Sequence, residues 1–380
     1  MNLENVKFNN QSAVLRLLND RGAMSRKDIA EEVGLTAASV TSICTELLEK
    51  NIIRELGEVA EEKRAGRKKI LVDINPDYKR VLCIAIETDE TYISVTDMKG
   101  AVVGSMKMET VLKDGPESFL ETIAVAVGRV LWDNNISKDM LLGCGVTVPG
   151  KVEEKTGVSL GAYSIWKKTI PVKDIVKKML GTEVYVENNL KAAAMYEILF
   201  GRGRNEKNLF LLKWGPGVGS AMIFDGKVYS GANNMAGEIG HTTLGKDGRL
   251  CKCGRKGCLE LYVSTNAILE DIKLYTGDAK AYKKDINRLA DDAVMSLMDE
   301  KMDRLAQTLR NTVSFIDPNR VVVLGDIFEI PGILDRFKGI YKQYDDSVEE
   351  DFIVKSGLDE IKGHVAPISM VLDDFLNYKY

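Results

Sequence analysis

No apolar run in this 380-residue chain approaches the roughly eighteen residues that a membrane-spanning helix needs, which excludes a helical membrane protein. Histidine is scarce, with two residues, and cysteine is held to six, so any clustering of the two types is informative. The polar start, Met1-Asn2-Leu3-Glu4, lacks the pattern of a secretory leader, so a reducing cytoplasm is the expected compartment and disulfides are not expected. A cationic excess is missing as well. The net charge of −4 excludes an overall basic nucleic-acid coat, although a net value hides local patches. What remains, 45% hydrophobic and 28% charged residues, describes a soluble globular protein long enough for two or three domains.

The scarce residues cluster. Gly237-Glu238-Ile239-Gly240-His241 is followed, after nine further residues, by Cys251-Lys252-Cys253-Gly254-Arg255-Lys256-Gly257-Cys258-Leu259-Glu260. Gly254 and Gly257 allow the backbone to fold the three thiols back toward one point. His241, Cys251, Cys253 and Cys258 then form a ligand set of one imidazole and three thiolates. Zinc suits it, because a d¹⁰ ion accepts a closed tetrahedral shell, and with no open position the metal is structural. The plainer alternative is a group of ordinary buried thiols.

Residues 1–74 have their own logic. Ala13, Val14, Leu17 and Leu18 mark a helical stripe over Asn10 to Asn19. Ser25 is placed to cap a second helix, Arg26 to Val33, and Gly34-Leu35 makes a tight turn before Thr36 caps a third helix to about Lys50. The start of that third helix presents Thr36, Ala37, Ala38, Ser39, Thr41 and Ser42, small polar and methyl-bearing side chains that can approach base edges in a major groove. Short strands at Ile52 to Leu56 and Lys69 to Val72 frame a loop with five basic residues in seven, Lys63 to Lys69, of which Arg64, Arg67, Lys68 and Lys69 suit phosphate contacts. The order helix, helix, glycine turn, helix, basic wing is a winged helix-turn-helix, with Ser25 included in the candidate DNA surface. A helical protein-interaction module with a solvated charge run is the competing reading.

Asn75-Pro76 marks a boundary, after which buried strands alternate with helices. Strands are expected at Val81 to Glu87, Thr91 to Asp97, Met140 to Val148 and Val184 to Glu187, with helices over Pro116 to Asn134 and Leu190 to Phe200. A second lobe begins near Arg202 with strands Asn208 to Trp214 and Ser220 to Phe224 around an Asp225-Gly226 hairpin turn. Residues 262–316 read as mostly helical, Arg320 to Leu324 as a strand, and Pro367 to Leu376 as a last helix. The expected architecture is two α/β lobes with a cleft between them.

The chain resembles the ROK family of repressors, open reading frames and kinases, over nearly its full length. The resemblance rests on the Gly237 to His241 and Cys251 to Glu260 runs, and on Val148-Pro149-Gly150, Val186-Glu187-Asn188, Gly231-Ala232-Asn233 and Val323-Leu324-Gly325. It implies an actin-like, ribonuclease H-like two-lobed sugar-kinase fold behind the winged helix. The implied domains are 1–74, a small lobe 75–189 completed by 366–380, and a large lobe 190–365. It also implies that Glu238, His241 and Glu260 face a sugar, with Asn188, Asn189 and the Gly150 backbone adding polar contacts. Trp166 could cover an apolar sugar face, or simply pack in the core.

Departures from the family's kinases shape the functional expectation. Those kinases carry an aspartate as general base directly after the Glu-Asn pair, where this chain has Asn189, an amide with no usable basicity. Their Asp-x-Gly-Gly-Thr phosphate turn is replaced by Glu87-Thr88-Asp89-Glu90-Thr91. Gly215-Pro216-Gly217-Val218-Gly219 keeps part of a second phosphate loop, but an adenosine-side Gly-Gly has become Gly325-Asp326. The expected protein is a sugar-responsive repressor with a catalytically dead cleft, no catalytic residues, structural zinc, operator DNA and a sugar as partners, and a homodimer or higher homo-oligomer. An active ATP-dependent sugar kinase carrying a DNA-binding domain is the alternative, and a sugar-independent DNA-binding scaffold a third.

Overall fold

The computed structural model describes residues 3–59, 69–276, 292–358 and 364–377. The chain forms two compact units, Met1–Ala192 with Gly363–Tyr380, and Ala193–Lys362.

The first unit opens with α1 (Leu3–Arg21), β1 (Met24–Ser25), α2 (Arg26–Val33), α3 (Ala37–Glu49), β2 (Ile53–Val59) and β3 (Lys69–Ile74). Side-chain caps fix the helix starts: Ser25 Oγ accepts from the Asp28 amide at 3.2 Å, and Thr36 Oγ1 accepts from the Ser39 amide at 3.1 Å. Between them Gly34 takes φ +72°, a left-handed cap that ends α2 and sets the turn. The three strands pair in the order β1-β3-β2, antiparallel throughout, which makes the wing. Val14, Leu15, Leu18, Ile29, Val40, Cys44 and Leu47 are fully buried and hold the helices on one core.

The same unit continues with β4 (Arg80–Ile86), β5 (Glu90–Thr96), β6 (Val102–Glu109), α4 (Pro116–Asp133), β7 (Leu141–Val148), β8 (Gly150–Glu153), β9 (Val158–Ala162), α5 (Val172–Leu180), β10 (Val184–Asn188) and the first four residues of α6 (Asn189–Leu199), whose remainder belongs to the second unit. The second unit contributes β11 (Leu209–Trp214), β12 (Val218–Phe224), β13 (Lys227–Val228), α7 (Glu260–Val263), α8 (Thr265–Thr276), α9 (Asp292–Ile316), β14 (Arg320–Leu324), α10 (Ile333–Tyr341) and β15 (Ile353–Lys355). The chain then re-enters the first unit as α11 (Ile368–Leu376).

Each unit is built on a five-stranded sheet, and the two sheets repeat one plan: β6-β5-β4-β7-β10 in the first, β13-β12-β11-β14-β15 in the second. In both, the first three strands run antiparallel and the last two join in parallel. This duplicated mixed sheet is the actin-like architecture. The central strands are apolar on both faces, as strands covered on both sides must be. β7 carries Gly145 for a steric reason: an added Cβ would stand 2.1 Å from the Pro367 carbonyl oxygen, so only glycine lets the start of α11 rest on the sheet.

α11 also ties the winged helix to this lobe. Arg16 on α1 donates to Asp373 Oδ1 at 2.9 Å and to Asn377 Oδ1 at 2.7 Å. On its other side, Tyr185 of β10 donates to Asp374 Oδ2 at 2.8 Å. A second tie joins Asp73 of β3 to Lys99 in the turn after β5.

Candidate functional site

The candidate nucleic-acid face is the start of α3. Thr36, Ala37, Ala38, Ser39, Thr41 and Ser42 are all exposed, while Val40, Ile43, Cys44 and Leu47 face the core. The split follows from helical periodicity, since the exposed positions fill the arc opposite the buried ones. Thr41 donates its hydroxyl to the Ala37 carbonyl at 2.7 Å and Thr45 to the Thr41 carbonyl at 2.9 Å, so both present methyl and oxygen surfaces in fixed rotamers. Thr45 is exposed on the same face and was missed; its position one turn beyond Thr41 is the signal that could have found it. Ser25 belongs elsewhere. It is 4% exposed and its hydroxyl is committed to Asp28, so it caps α2 rather than facing a ligand. Arg64, Arg67 and Lys68 lie outside the described residues, and of Lys69 only the backbone, at the start of β3, is described.

The candidate metal centre is assembled in the second unit. The run 237–241 crosses β12 at close range: a Cβ on Gly237 would stand 2.3 Å from the Ser220 carbonyl oxygen and one on Gly240 2.0 Å from that of Val218. Those two glycines therefore allow the contact that fixes His241. The cysteine loop is closed by backbone bonds from Cys251 N to Arg255 O at 2.8 Å, Gly254 N to Cys251 O at 2.9 Å and Leu244 N to Gly257 O at 2.8 Å. At Gly257 (φ +69°) a Cβ would strike the Gly245 carbonyl oxygen at 1.8 Å, whereas at Gly254 only the left-handed φ of +86° requires glycine.

The four candidate ligand atoms of His241, Cys251, Cys253 and Cys258 all lie within 4.8 Å of one another. Cys253 Sγ is 3.6 Å from Cys258 Sγ, and Cys251 Sγ is 3.7 Å from His241 Nδ1. A tetrahedral ion with metal–sulfur bonds of about 2.3 Å places its sulfurs ~3.8 Å apart, so the cluster has the dimensions of a metal site. Cys253 is already disposed to ionise: the Arg255 backbone N–H donates to its sulfur and brings the thiol down to about 6. Burial pushes Cys258 the other way, to about 12, a penalty that a bound cation offsets. The second ring nitrogen, His241 Nε2, lies 3.7 Å from Glu238 Oε2, an electrostatic neighbour beyond hydrogen-bond distance.

The remaining candidate ligand residues divide between the units. In the first, Asn188 Nδ2 donates to the Gly150 carbonyl at 2.7 Å, while its Oδ1 accepts from the amides of Leu190 at 2.9 Å and Lys191 at 3.2 Å. Asn188 thus caps α6 and pins the loop after β7, leaving one amide hydrogen for a ligand. Gly150 has φ +113°, and a Cβ there would meet the Gly161 carbonyl oxygen at 2.3 Å. Asn189 donates Nδ2 to the Glu87 carboxylate, at 3.1 Å to Oε1 and 3.3 Å to Oε2. Glu187, 5% exposed, is pushed up to about 7 by burial, against Lys191 at 3.8 Å.

In the second unit Glu260 is tied to the glycine-rich loop, accepting from the Val218 amide at 3.2 Å on Oε2, with Lys252 Nζ 3.3 Å from Oε1. The Gly215 amide is turned inward to the Gly217 carbonyl at 3.2 Å. Trp166 is a core residue, 5% exposed, with its indole N–H donating to Ser159 at 3.0 Å.

A winged helix joined to a duplicated α/β fold with a His-Cys₃ loop defines a DNA-binding module fused to a sugar-kinase architecture. Residues 81–363 match the ROK family and residues 9–56 the MarR family of winged-helix proteins. The chain belongs to the ROK family. Among similar proteins, the xylose repressor of Bacillus subtilis (strain 168) is 26% identical over 383 residues, covering 98% of this chain and 97% of its own. A glucokinase of Halalkalibacterium halodurans is 30% identical over 248 residues, 60% of this chain and 74% of its own. The solved structure of a ROK family transcriptional regulator, described as a homologue of the Escherichia coli Mlc protein, superposes with a TM-score of 0.81 at 22% identity, covering 98% of both chains. No helix among the described residues is long and apolar enough to cross a membrane.

Proposed function

We propose that this protein is a sugar-responsive transcriptional repressor that binds operator DNA as a homodimer through the winged helix and releases it on binding a sugar, with zinc as a structural cofactor and no kinase activity. The observation that carries this reading is the coexistence of an exposed recognition face on α3 with Asn189 bonded to Glu87, in place of a general base beside a phosphate turn. An amide cannot take the proton from an attacking hydroxyl, and loss of a general base costs about 10²–10⁴ in rate. The Gly215 and Val218 amides also have partners within the fold.

The links through α11 support the regulatory half. β10 ends at Asn188, is bonded through Tyr185 to Asp374, and the adjacent Asp373 holds Arg16 of α1. A shift of β10 on effector binding therefore has a bonded route to the DNA-binding module. The effector acts only if it binds the DNA-competent and released states unequally. Half-sites repeat at about 34–36 Å, so a small reorientation of two winged helices breaks their register.

Thermal melting against D-xylose, D-glucose and N-acetyl-D-glucosamine, with and without magnesium ATP, tests the reading. A ligand at about one hundred times its dissociation constant stabilises by about 2.7 kcal/mol. A shift with one sugar and none with ATP supports the sensor; a shift with ATP and appearance of a phosphorylated sugar overturns it in favour of a kinase. For the DNA half, replacing Arg67 and Lys68 with Ala is expected to lower affinity on all sequences and to flatten the slope of log affinity against log salt by about two. An unchanged slope would show that the wing does not touch phosphate.

A further inference from the structure

Glu87 stands 102 residues from Asn189 in sequence, yet its carboxylate accepts both of the hydrogen bonds that the Asn189 side chain makes among the described residues. An ionised carboxylate only accepts, so the amide must turn its NH₂ group inward, and its carbonyl oxygen is left to face away from Glu87. That oxygen has no donor among the described residues. Glu87 is itself held on both main-chain groups: its amide donates to the Glu90 carbonyl at 3.0 Å, and its carbonyl accepts from Thr110 at 2.8 Å. The amide orientation is therefore built into the turn between β4 and β5.

We infer that Glu87 is a positioning residue that locks Asn189 as a pure acceptor, so that the effector must present an uncharged hydroxyl there and phosphorylated sugars are rejected. This rests on the sugar-sensor reading above. A helix N-terminus ordinarily attracts phosphate, and Asn189 begins α6. Here the two amides an anion would use, those of Leu190 and Lys191, are occupied by Asn188 Oδ1. An anion placed against Asn189 would meet the amide oxygen, with the Glu87 carboxylate directly behind it. A hydroxyl meets a good acceptor and no charge repulsion.

The test uses the full-length protein with D-xylose, D-glucose and N-acetyl-D-glucosamine, each also as its terminal phosphate, and reads binding by calorimetry together with release of operator DNA. The expected result is a neutral sugar that binds at least about a hundredfold more tightly than its phosphate. Glu87→Gln should weaken that sugar about tenfold, because glutamine can donate as well as accept and lets the amide flip. Glu87→Gln combined with Asn189→Asp reverses the donor and acceptor across the same bond and should restore most of the neutral-sugar affinity, a rescue that loss of mere packing would not show.

A phosphorylated sugar that binds more tightly than its neutral form, or Glu87→Gln with unchanged affinity and selectivity, overturns this inference and leaves the sensor standing. Failure of all six compounds to bind overturns the sensor and the inference with it.

Discussion

Cys258→Ser is expected to release the metal and lower the stability of the second unit by on the order of 5 kcal/mol, a part of the ~10–16 kcal/mol that structural zinc contributes where it is the sole organiser of a domain. The part is smaller here because Gly237 and Gly240 already hold the preceding run against β12 by close backbone packing. The cysteine loop lacks such support. Its described backbone bonds run mostly within 244–258, and Cys258 is 0% exposed at its base, so a metal held by the four ligands would supply the cross-link that burial alone does not. Elemental analysis should give one zinc per chain for the native protein and none for the variant, and chelation of the native protein should reproduce the lowered melting temperature. Cys258 also precedes Leu259 and Glu260 at the start of α7, and His241 faces Glu238. Sugar affinity should therefore fall with the metal. A variant that keeps both its stability and its sugar binding without metal would remove zinc from the account.

The readable parts of the chain were those where local chemistry decides the backbone. Ser25, Gly34 and Thr36 announce two helix starts and a stop because their side chains, or the lack of one, act within three or four residues. Asp225 and Gly226 both adopt positive φ, 49° and 73°, as the hairpin reading of that pair requires. The His-Cys₃ cluster was legible for the same reason, since most of its geometry is closed within one loop.

What went unread depends on distance or on a weak pattern. β6 (Val102–Glu109) was missed because an edge strand with Gly104, Ser105 and Lys107 exposes alternate residues and shows no apolar run. The nine-residue α5 was missed as well, and α1 proved longer than its apolar stripe. The site residues show a subtler gap. The family resemblance gave Asn188 and Glu260 as sugar contacts alone, and each also spends hydrogen bonds on the fold, one capping α6 and the other holding the Val218 amide. The Glu87–Asn189 bond was invisible because nothing in either short stretch points to the other.

Glu187→Gln is expected to abolish a pH dependence of stability that the native protein carries between about pH 4.5 and pH 7. Burial raises the folded-state carboxyl from 4.5 to about 7, with Lys191 and the Asn188 amide pulling the other way and Glu154 adding to the rise. The sign follows from proton counting. Below about pH 4.5 the group is protonated in both folded and unfolded chains, and its contribution is fully present. As pH rises, the unfolded chain releases the proton first, so the folded state binds more protons and stability falls until the folded group ionises near pH 7. At 1.36 kcal/mol per unit, the full loss is on the order of 3 kcal/mol. Glutamine keeps the acceptor for the Asn188 amide, which sits 2.6 Å away, and removes the titration. The quantity to measure is the difference in unfolding free energy between native and variant protein at pH 4.5 and pH 8. A fall of that size in the native protein alone means burial dominates and the neutral acid is the native form over most of the window. No change with pH means that Lys191, at 3.8 Å, holds Glu187 ionised throughout, and the segment leading into Asn188 is then organised by a buried ion pair.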